Sequence, residues 1–257
     1  VLLEAAVREE PNIDRYRFYL GREYLLLERY EEAKKMLASV FELAKIDPLC
    51  FRETNVAYLQ CLYYMNAPFE ILLSKAIEII EHTPNEANAW YLLSMAYEKH
   101  GYPHDSIEAL KQALKYIDDF DVNLQTSNIQ ADRAKAEIIL AQHYAEQEDS
   151  QAEAREWYYK AWSHLSPQDK QWKQLVTHLL TWSINQEEID LLKQILKTLA
   201  EDLHGLHIQD IFLTGLKKLA QLDSERYALK LLKFGIKAQA NLRLDPRFIQ
   251  LLKDLRS

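Results

Sequence analysis

Large and small side chains recur along this chain in a fixed order. From Trp90, the residues Trp90, Leu93, Ser94 and Tyr97 follow a helical period, Gly101 and Tyr102 interrupt it, and Ser106, Leu110 and Ala113 resume it. That order predicts a helix, a short glycine-containing turn and a second helix. Upstream, Leu20, Gly21, Tyr24, Tyr30, Ala33, Leu37 and Val40 repeat the order at almost the same spacing. Downstream, Leu140, Ala141, Tyr144, Ala154, Tyr158 and Ala161 repeat it again with one extra residue in the turn. Between the first two lies a degenerate unit, roughly residues 51–83, where Tyr63, Ala76 and Ile79 keep part of the pattern and Pro84 closes it. Tandem copies at such a period predict stacked helical pairs, each covering the apolar face of its neighbour.

These residues resemble the tetratricopeptide pattern, in which small side chains sit where paired helices approach and aromatic ones fill the wedges between pairs. The resemblance implies an all-α fold, an α-α superhelix or TPR-like solenoid with a concave and a convex side. Small residues at the crossing let two helices pack at the short end of the usual separation of about 8–10 Å. The boundaries agree. Ser166-Pro167 and Asp245-Pro246 each place a capping residue before a proline at the first helical position, and Gly205 falls where a helix should end. After Pro167 the signature fades, but helical periodicity continues through about 168–203 and 208–240 and a short helix from Pro246. The expectation is about six helical pairs plus a C-terminal capping helix. Residues 1–166 carry TPR-like repeats, and 167–257 carry degenerate ones continuous with the same solenoid.

Composition narrows the class further. Five glycines, seven prolines and 48% hydrophobic residues in 257 leave ample core material and few turns, which excludes a disordered chain and disfavours a sheet protein. Two cysteines, Cys50 and Cys61, are too few for a disulfide framework. No apolar run approaches the roughly 20 residues of a membrane span, and no signal-peptide pattern opens the chain, so a cytoplasmic protein is expected. The chain starts at Val1 inside a helical pattern, which suggests a fragment of something longer. Charge is uneven: the total is −8, yet residues 226–257 carry eight basic and two acidic side chains. Lys230, Lys233 and Lys237 form one helical stripe. With Leu231, Leu232, Phe234 and Ile236 interleaved, it reads as the solvated side of an amphipathic helix.

Motifs for catalysis are missing. His204 with His207, and His100 with His104, lack a carboxylate or cysteine at metal-ligand spacing, so no metal site is expected. Asp119-Phe120-Asp121 spells the D-x-D of nucleotide-sugar enzymes. It lies, however, in a polar stretch between helices (117–130) rather than after a strand. Neither a phosphate-cradling glycine loop nor a nucleophile elbow occurs. No cofactor is expected, and no active site is recognisable in this chain. The aromatic cluster of Trp157, Tyr158, Tyr159, Trp162, Trp172 and Trp182 reads as packing between stacked pairs.

Binding is the function that remains. Arg15, Phe18 and Arg22 in the first repeat, Asn88, Tyr91 and Met95 in the Trp90 repeat, and Lys135, Ile138 and Gln142 in the Tyr144 repeat match positions that line the concave side in tetratricopeptide proteins. A basic, aromatic and amide lining suits a peptide or acidic ligand, so a protein or peptide partner in the concave groove is expected. The Lys/Asn clamp with which chaperone-binding members hold a C-terminal carboxylate is not matched, since Phe18 and Tyr91 stand in its place. Neither nucleic acid nor a membrane span enters this expectation, whereas a homodimer through an unprotected end of the stack does.

A narrower resemblance covers about residues 1–115. Arg15, Phe18, Tyr19 and Leu20 open the first repeat with an R-x-x-F-Y-L segment, and the chain from there to the Trp90 repeat is similar to the helical-repeat region that follows the catalytic domain in bacterial family 2 glycosyltransferases. That resemblance implies an accessory arm handling an acceptor polypeptide or dimerising the enzyme. Three readings stand together: a protein-interaction scaffold, a glycosyltransferase arm, and a cytosolic receptor for a short signalling peptide.

Overall fold

The computed structural model describes residues 2–11, 13–41, 48–117, 129, 132–166, 172–201 and 206–255; at 48–51, 148, 206, 207, 240 and 241 it describes the backbone only. All regular structure among them is helical. A short helix α1 (Leu2–Glu9) precedes three pairs: α2 (Asp14–Leu26) with α3 (Tyr30–Ala38), α4 (Pro48–Tyr64) with α5 (Phe69–His82), and α6 (Ala87–Lys99) with α7 (Pro103–Tyr116). Three more follow: α8 (Arg133–Ala145) with α9 (Gln151–His164), α10 (Trp172–Asn185) with α11 (Ile189–Glu201), and α12 (Leu206–Leu222) with α13 (Glu225–Ala238), before the final α14 (Pro246–Asp254). The expected all-α helical-repeat class, with its pairs and terminal helix, is what the described residues form.

One turn explains why the pairs repeat. Glu28, Asn66, Gly101 and Glu187 all take positive φ, between 55° and 80°, just after a first helix. The next N–H bonds back five residues in each case: Arg29 to Tyr24, Ala67 to Leu62, Tyr102 to Tyr97 and Glu188 to Ser183, at 2.8–3.0 Å. This is the left-handed C-terminal cap that satisfies orphan carbonyls and reverses the chain. Second helices then start on their own signals, such as Pro103 in the first turn of α7. Ser224 accepts from the Tyr227 N–H at the start of α13, and Asp245 accepts from the Arg247 N–H ahead of Pro246. The Pro167 and Gly205 boundaries lie outside the described residues.

The chain gathers into two compact units, Val1–Ala136 and Glu137–Ser257. Within the second unit the Tyr144 repeat packs on the helix that follows it, through contacts such as Gln142 and Tyr158 on His178. In the first unit, α2 and α4 touch, α4 and α6 touch, and α3 and α5 each pack on the next first helix. Its core joins Phe18, Ala33, Leu37, Ala57 and Cys61 in one cluster and Leu59, Leu72, Ile79, Leu92 and Ala109 in another. In the second unit the same stacking relates α10, α12 and α14, around buried Leu179, Leu196, Phe212, Leu216 and Phe248.

The small residues stand at the crossings. A methyl group on Gly21 would meet Leu37 Cγ at 2.8 Å, and Ser106 Oγ donates to the Ser94 carbonyl at 2.9 Å across α6 and α7. Of the aromatic cluster, Tyr158, Trp172 and Trp182 are buried, while Trp157, Tyr159 and Trp162 are half-buried. The basic stripe of α13 needs one correction. Leu231 and Leu232 face the core, but Phe234 is exposed, because its i+4 offset from Lys230 places it within the lysine stripe.

Candidate functional site

The outward face of α2 carries the first candidate. Arg15, Tyr19, Arg22 and Leu26 fall at i, i+4, i+7 and i+11, one line along a helix. Arg15 is exposed, Tyr19 is 43% exposed, Leu26 is 67% exposed and Arg22 is half-buried. Phe18 lies beneath the line, buried against the first core cluster, with the Arg22 guanidinium 5.7 Å from its ring centre. Glu23 borders the line and is exposed. Among the described residues, no carboxylate pairs with Arg15 or Arg22. Five other arginines are paired, Arg17 with Asp14, Arg29 with Glu32, Arg52 with Glu86, Arg155 with Glu188 and Arg247 with Asp245, whereas the exposed Arg226 and Arg243, like Arg15 and Arg22, pair with no carboxylate among the described residues.

The second set behaves differently. Asn88 is 1% exposed and Tyr91 2%, and each spends its polar atom inside the first unit. Asn88 Oδ1 accepts from the Ile129 N–H at 3.3 Å, and the Tyr91 hydroxyl donates to Asp132 Oδ2 at 2.9 Å. Met95 packs against the second core cluster. Just ahead lies a group that sequence reasoning did not single out: Glu86, fully buried, caps α6 by accepting from the Asn88 N–H at 3.1 Å. Arg52 Nε lies 3.3 Å from its other oxygen, an ion pair without hydrogen-bond alignment. Burial pushes the Glu86 carboxyl above the usual carboxylate range, with Arg52 and the Asn88 N–H acting the other way. These residues glue neighbouring helices and present little to solvent.

On α8, Lys135 is half-buried, Ile138 is buried and Gln142 is exposed. Within the second unit Gln142 Nε2 lies 3.2 Å from His178 Nε2, which the Tyr158 hydroxyl also approaches at 3.3 Å. Tyr158 stacks on Trp182 with ring centres 4.1 Å apart. Burial lowers the His178 pKa and raises the Tyr158 phenol to about 12. The Trp182 indole N–H is buried without a partner.

A cleft of about 970 Å³ opens between α9 and α11, lined by Arg155, Tyr159, Lys160, Asp190, Lys193 and Gln194 among others. Its cations are already neutralised, Arg155 by Glu188 at 2.8 Å, Lys160 by Glu156 at 2.7 Å and Lys193 by Asp223 at 2.7 Å. Among the described residues no group of three or more His, Cys, Asp or Glu side chains could hold a metal ion, and no helix is long and apolar enough to cross a membrane. His100 rests on the Phe69 ring at 4.9 Å, and His104 is exposed. The D-x-D of residues 119–121, His204 and the side chain of His207 lie outside the described residues.

Of the nine residues expected to line a groove, the structure therefore separates two groups. Phe18, Asn88, Tyr91 and Ile138 are buried in helix packing, whereas Arg15, Arg22, Lys135 and Gln142 retain solvent access; Met95 is intermediate. Sequence reasoning missed Tyr19 and Leu26, although their spacing from Arg15 signals the same face.

No family model and no curated protein matches the chain. Among solved structures, MamA is similar at 17% identity and a TM-score of 0.47, over 63% of this chain and 84% of that one. The apo form of the quorum sensor NprR from B. thuringiensis is similar at 15% identity and a TM-score of 0.47, over 98% of this chain and 73% of that one. Both likenesses are too distant to carry an argument about function.

Proposed function

We propose that this chain is a helical-repeat interaction scaffold that binds a protein or peptide segment along the exposed face of a first helix, α2. The observation that carries this reading is the Arg15–Tyr19–Arg22–Leu26 line on one helix face, whose two cations pair with no carboxylate among the described residues and whose Tyr19 and Leu26 are exposed. Exposed aromatic and arginine side chains supply large contact area and directional hydrogen bonds, the residue types enriched where binding energy concentrates. The other expected groove positions support it less, because Asn88 and Tyr91 are committed to holding Ile129 and Asp132. A signalling-peptide receptor is the same reading with a short free ligand. A transferase arm is the same reading with an acceptor polypeptide.

A displayed library of random peptides tests it. Selected peptides should compete with one another, and their binding should fall at least tenfold on Tyr19→Ala while persisting on Ile77→Ala, an exposed apolar residue of α5. Peptides that bind equally to both variants would show that the α2 face is not the site.

A further inference from the structure

We propose that α13 of one molecule docks antiparallel on α5 of a second copy of this chain, with Phe234 seated in a cavity between α4 and α5. The two faces belong to different units of the chain, α5 to Val1–Ala136 and α13 to Glu137–Ser257. Exposed apolar side chains mark them. Beyond α2, the α-helices of the described residues leave Tyr64, Ile71, Ile77, Phe234 and Ile249 exposed. Ile71 and Ile77 stand on α5 among the exposed carboxylates of Glu70, Glu78 and Glu81, whereas Phe234 stands on α13 among the exposed Lys230, Lys233 and Lys237. Glu78 is held by Lys75 at 3.0 Å, but among the described residues Glu70 and Glu81 pair with no cation, and Arg226, Lys230, Lys233 and Lys237 pair with no carboxylate. Residues 226–238 hold these four cations and no acidic side chain, so the face has no carboxylate of its own to turn to.

Spacing matches the two faces position by position. Glu70, Ser74, Ile77 and Glu81 fall at i, i+4, i+7 and i+11, and Arg226, Lys230, Lys233 and Lys237 repeat those offsets, so each set forms one line about 16.5 Å long. Laid antiparallel, the lines set Glu81 against Arg226 and Glu70 against Lys237. The α2 arginines are only seven residues apart, about 10.5 Å along the axis, and cannot meet both carboxylates; Arg243 lies outside any such line. Phe234 decides the direction. It stands to one side of its line, about 12 Å along the axis from Arg226. With the helices antiparallel, that height falls between Ser74 and Ile71, about 10.5 and 15 Å from Glu81, on the side where Ile71 and Glu78 flank the α5 line. With the helices parallel, Phe234 falls on the other side of α5. A cavity of about 330 Å³ opens on the first side, lined among others by Tyr58 and Leu62 from α4 and by Glu70, Ile71 and Ser74 from α5. The phenyl ring therefore meets Tyr58, Leu62 and Ile71 while its collar of lysines meets the carboxylates at the rim. An apolar knob entering a pocket elsewhere on an identical molecule makes a heterologous contact.

Sedimentation velocity with the full chain tests this. The parent protein should associate as its concentration rises from micromolar toward millimolar, and the midpoint should move at least about tenfold higher when salt is raised from about 0.05 to 0.5 M, because exposed charges are screened. Phe234→Ser should weaken association at least about tenfold. Arg226→Glu with Lys237→Glu should leave a monomer, as should Glu70→Lys with Glu81→Lys. Mixed together, these two double variants should form a 1:1 pair, since each keeps one parental face, and that recovery excludes misfolding as the cause of the loss. All four substitutions in one chain should restore self-association. A monomeric parent, an association indifferent to the reversals, or a mixture that stays monomeric would overturn the proposal. So would a monomeric parent that sediments with phosphatidylserine vesicles, which would assign the α13 line to an anionic lipid surface instead.

Discussion

At single positions, the fold tolerates local cost where a turn demands it. Glu28 holds φ at 59°, a left-handed conformation that crowds any side chain with a Cβ, while Gly101 fills the equivalent place in the Trp90 repeat without penalty. Glu28 is exposed and its carboxylate makes no hydrogen bond or ion pair among the described residues, so Glu28→Gly should stabilise the protein by about 1 kcal/mol, read as a higher urea midpoint at unchanged slope. A lower midpoint would mean that the extra backbone freedom of glycine outweighs the relieved strain. Cys61 illustrates the opposite case, a reactive group silenced by packing. Fully buried among Phe18, Leu37 and Ala57, its thiol is pushed up to about 12 by desolvation. Native protein at pH 8 should leave Cys61 unlabelled by a thiol reagent until denaturant is added, as mapped by mass spectrometry.

Within and between helices, the letters that could be read in advance were those with a steric job. Gly21, Ala33, Ser94, Ser106, Ala141 and Ala154 were legible because a close crossing admits only small residues, and each is buried. The same logic failed for the binding face. Asn88 and Tyr91 occupy groove positions by spacing, but spacing does not say whether Ile129 and Asp132, some forty residues on, will take their hydrogen bonds. His178 was invisible for a like reason: its partners Gln142 and Tyr158 come from two other helices. Its consequence is a pH dependence. Burial holds the folded imidazole below its ordinary value of about 6.5, so acidification protonates the unfolded state first, and stability present above that pH is lost as pH falls. His178→Gln should flatten this loss as pH falls below about 6.5, measured as the change in thermal midpoint relative to the parent protein.

For the molecule as a whole, stability in a repeat array is a sum of intrinsic and nearest-neighbour terms, so damage should stay close to where it is made. Two glycines allow a matched comparison. A methyl group on Gly21 would press on Leu37 Cγ at 2.8 Å, and one on Gly215 on Leu196 Cδ2 at 2.7 Å and Leu180 Cδ1 at 3.3 Å. Leu37, Leu196 and Leu180 are buried and have little room to turn away. Overpacking of this kind costs about 1–3 kcal/mol, and the helix gains back about 1 kcal/mol when alanine replaces glycine, which leaves a net loss of up to about 2 kcal/mol for either variant. Gly21 lies in Val1–Ala136 and Gly215 in Glu137–Ser257. Hydrogen exchange on Gly21→Ala should therefore speed up in α2, α3 and α4 and stay at parental rates in α10 to α13, with the reverse for Gly215→Ala. Uniform loss of protection in both units from either substitution would instead mark the chain as one cooperative block, in which a ligand seated on α2 would stabilise α13 as strongly as its own helix.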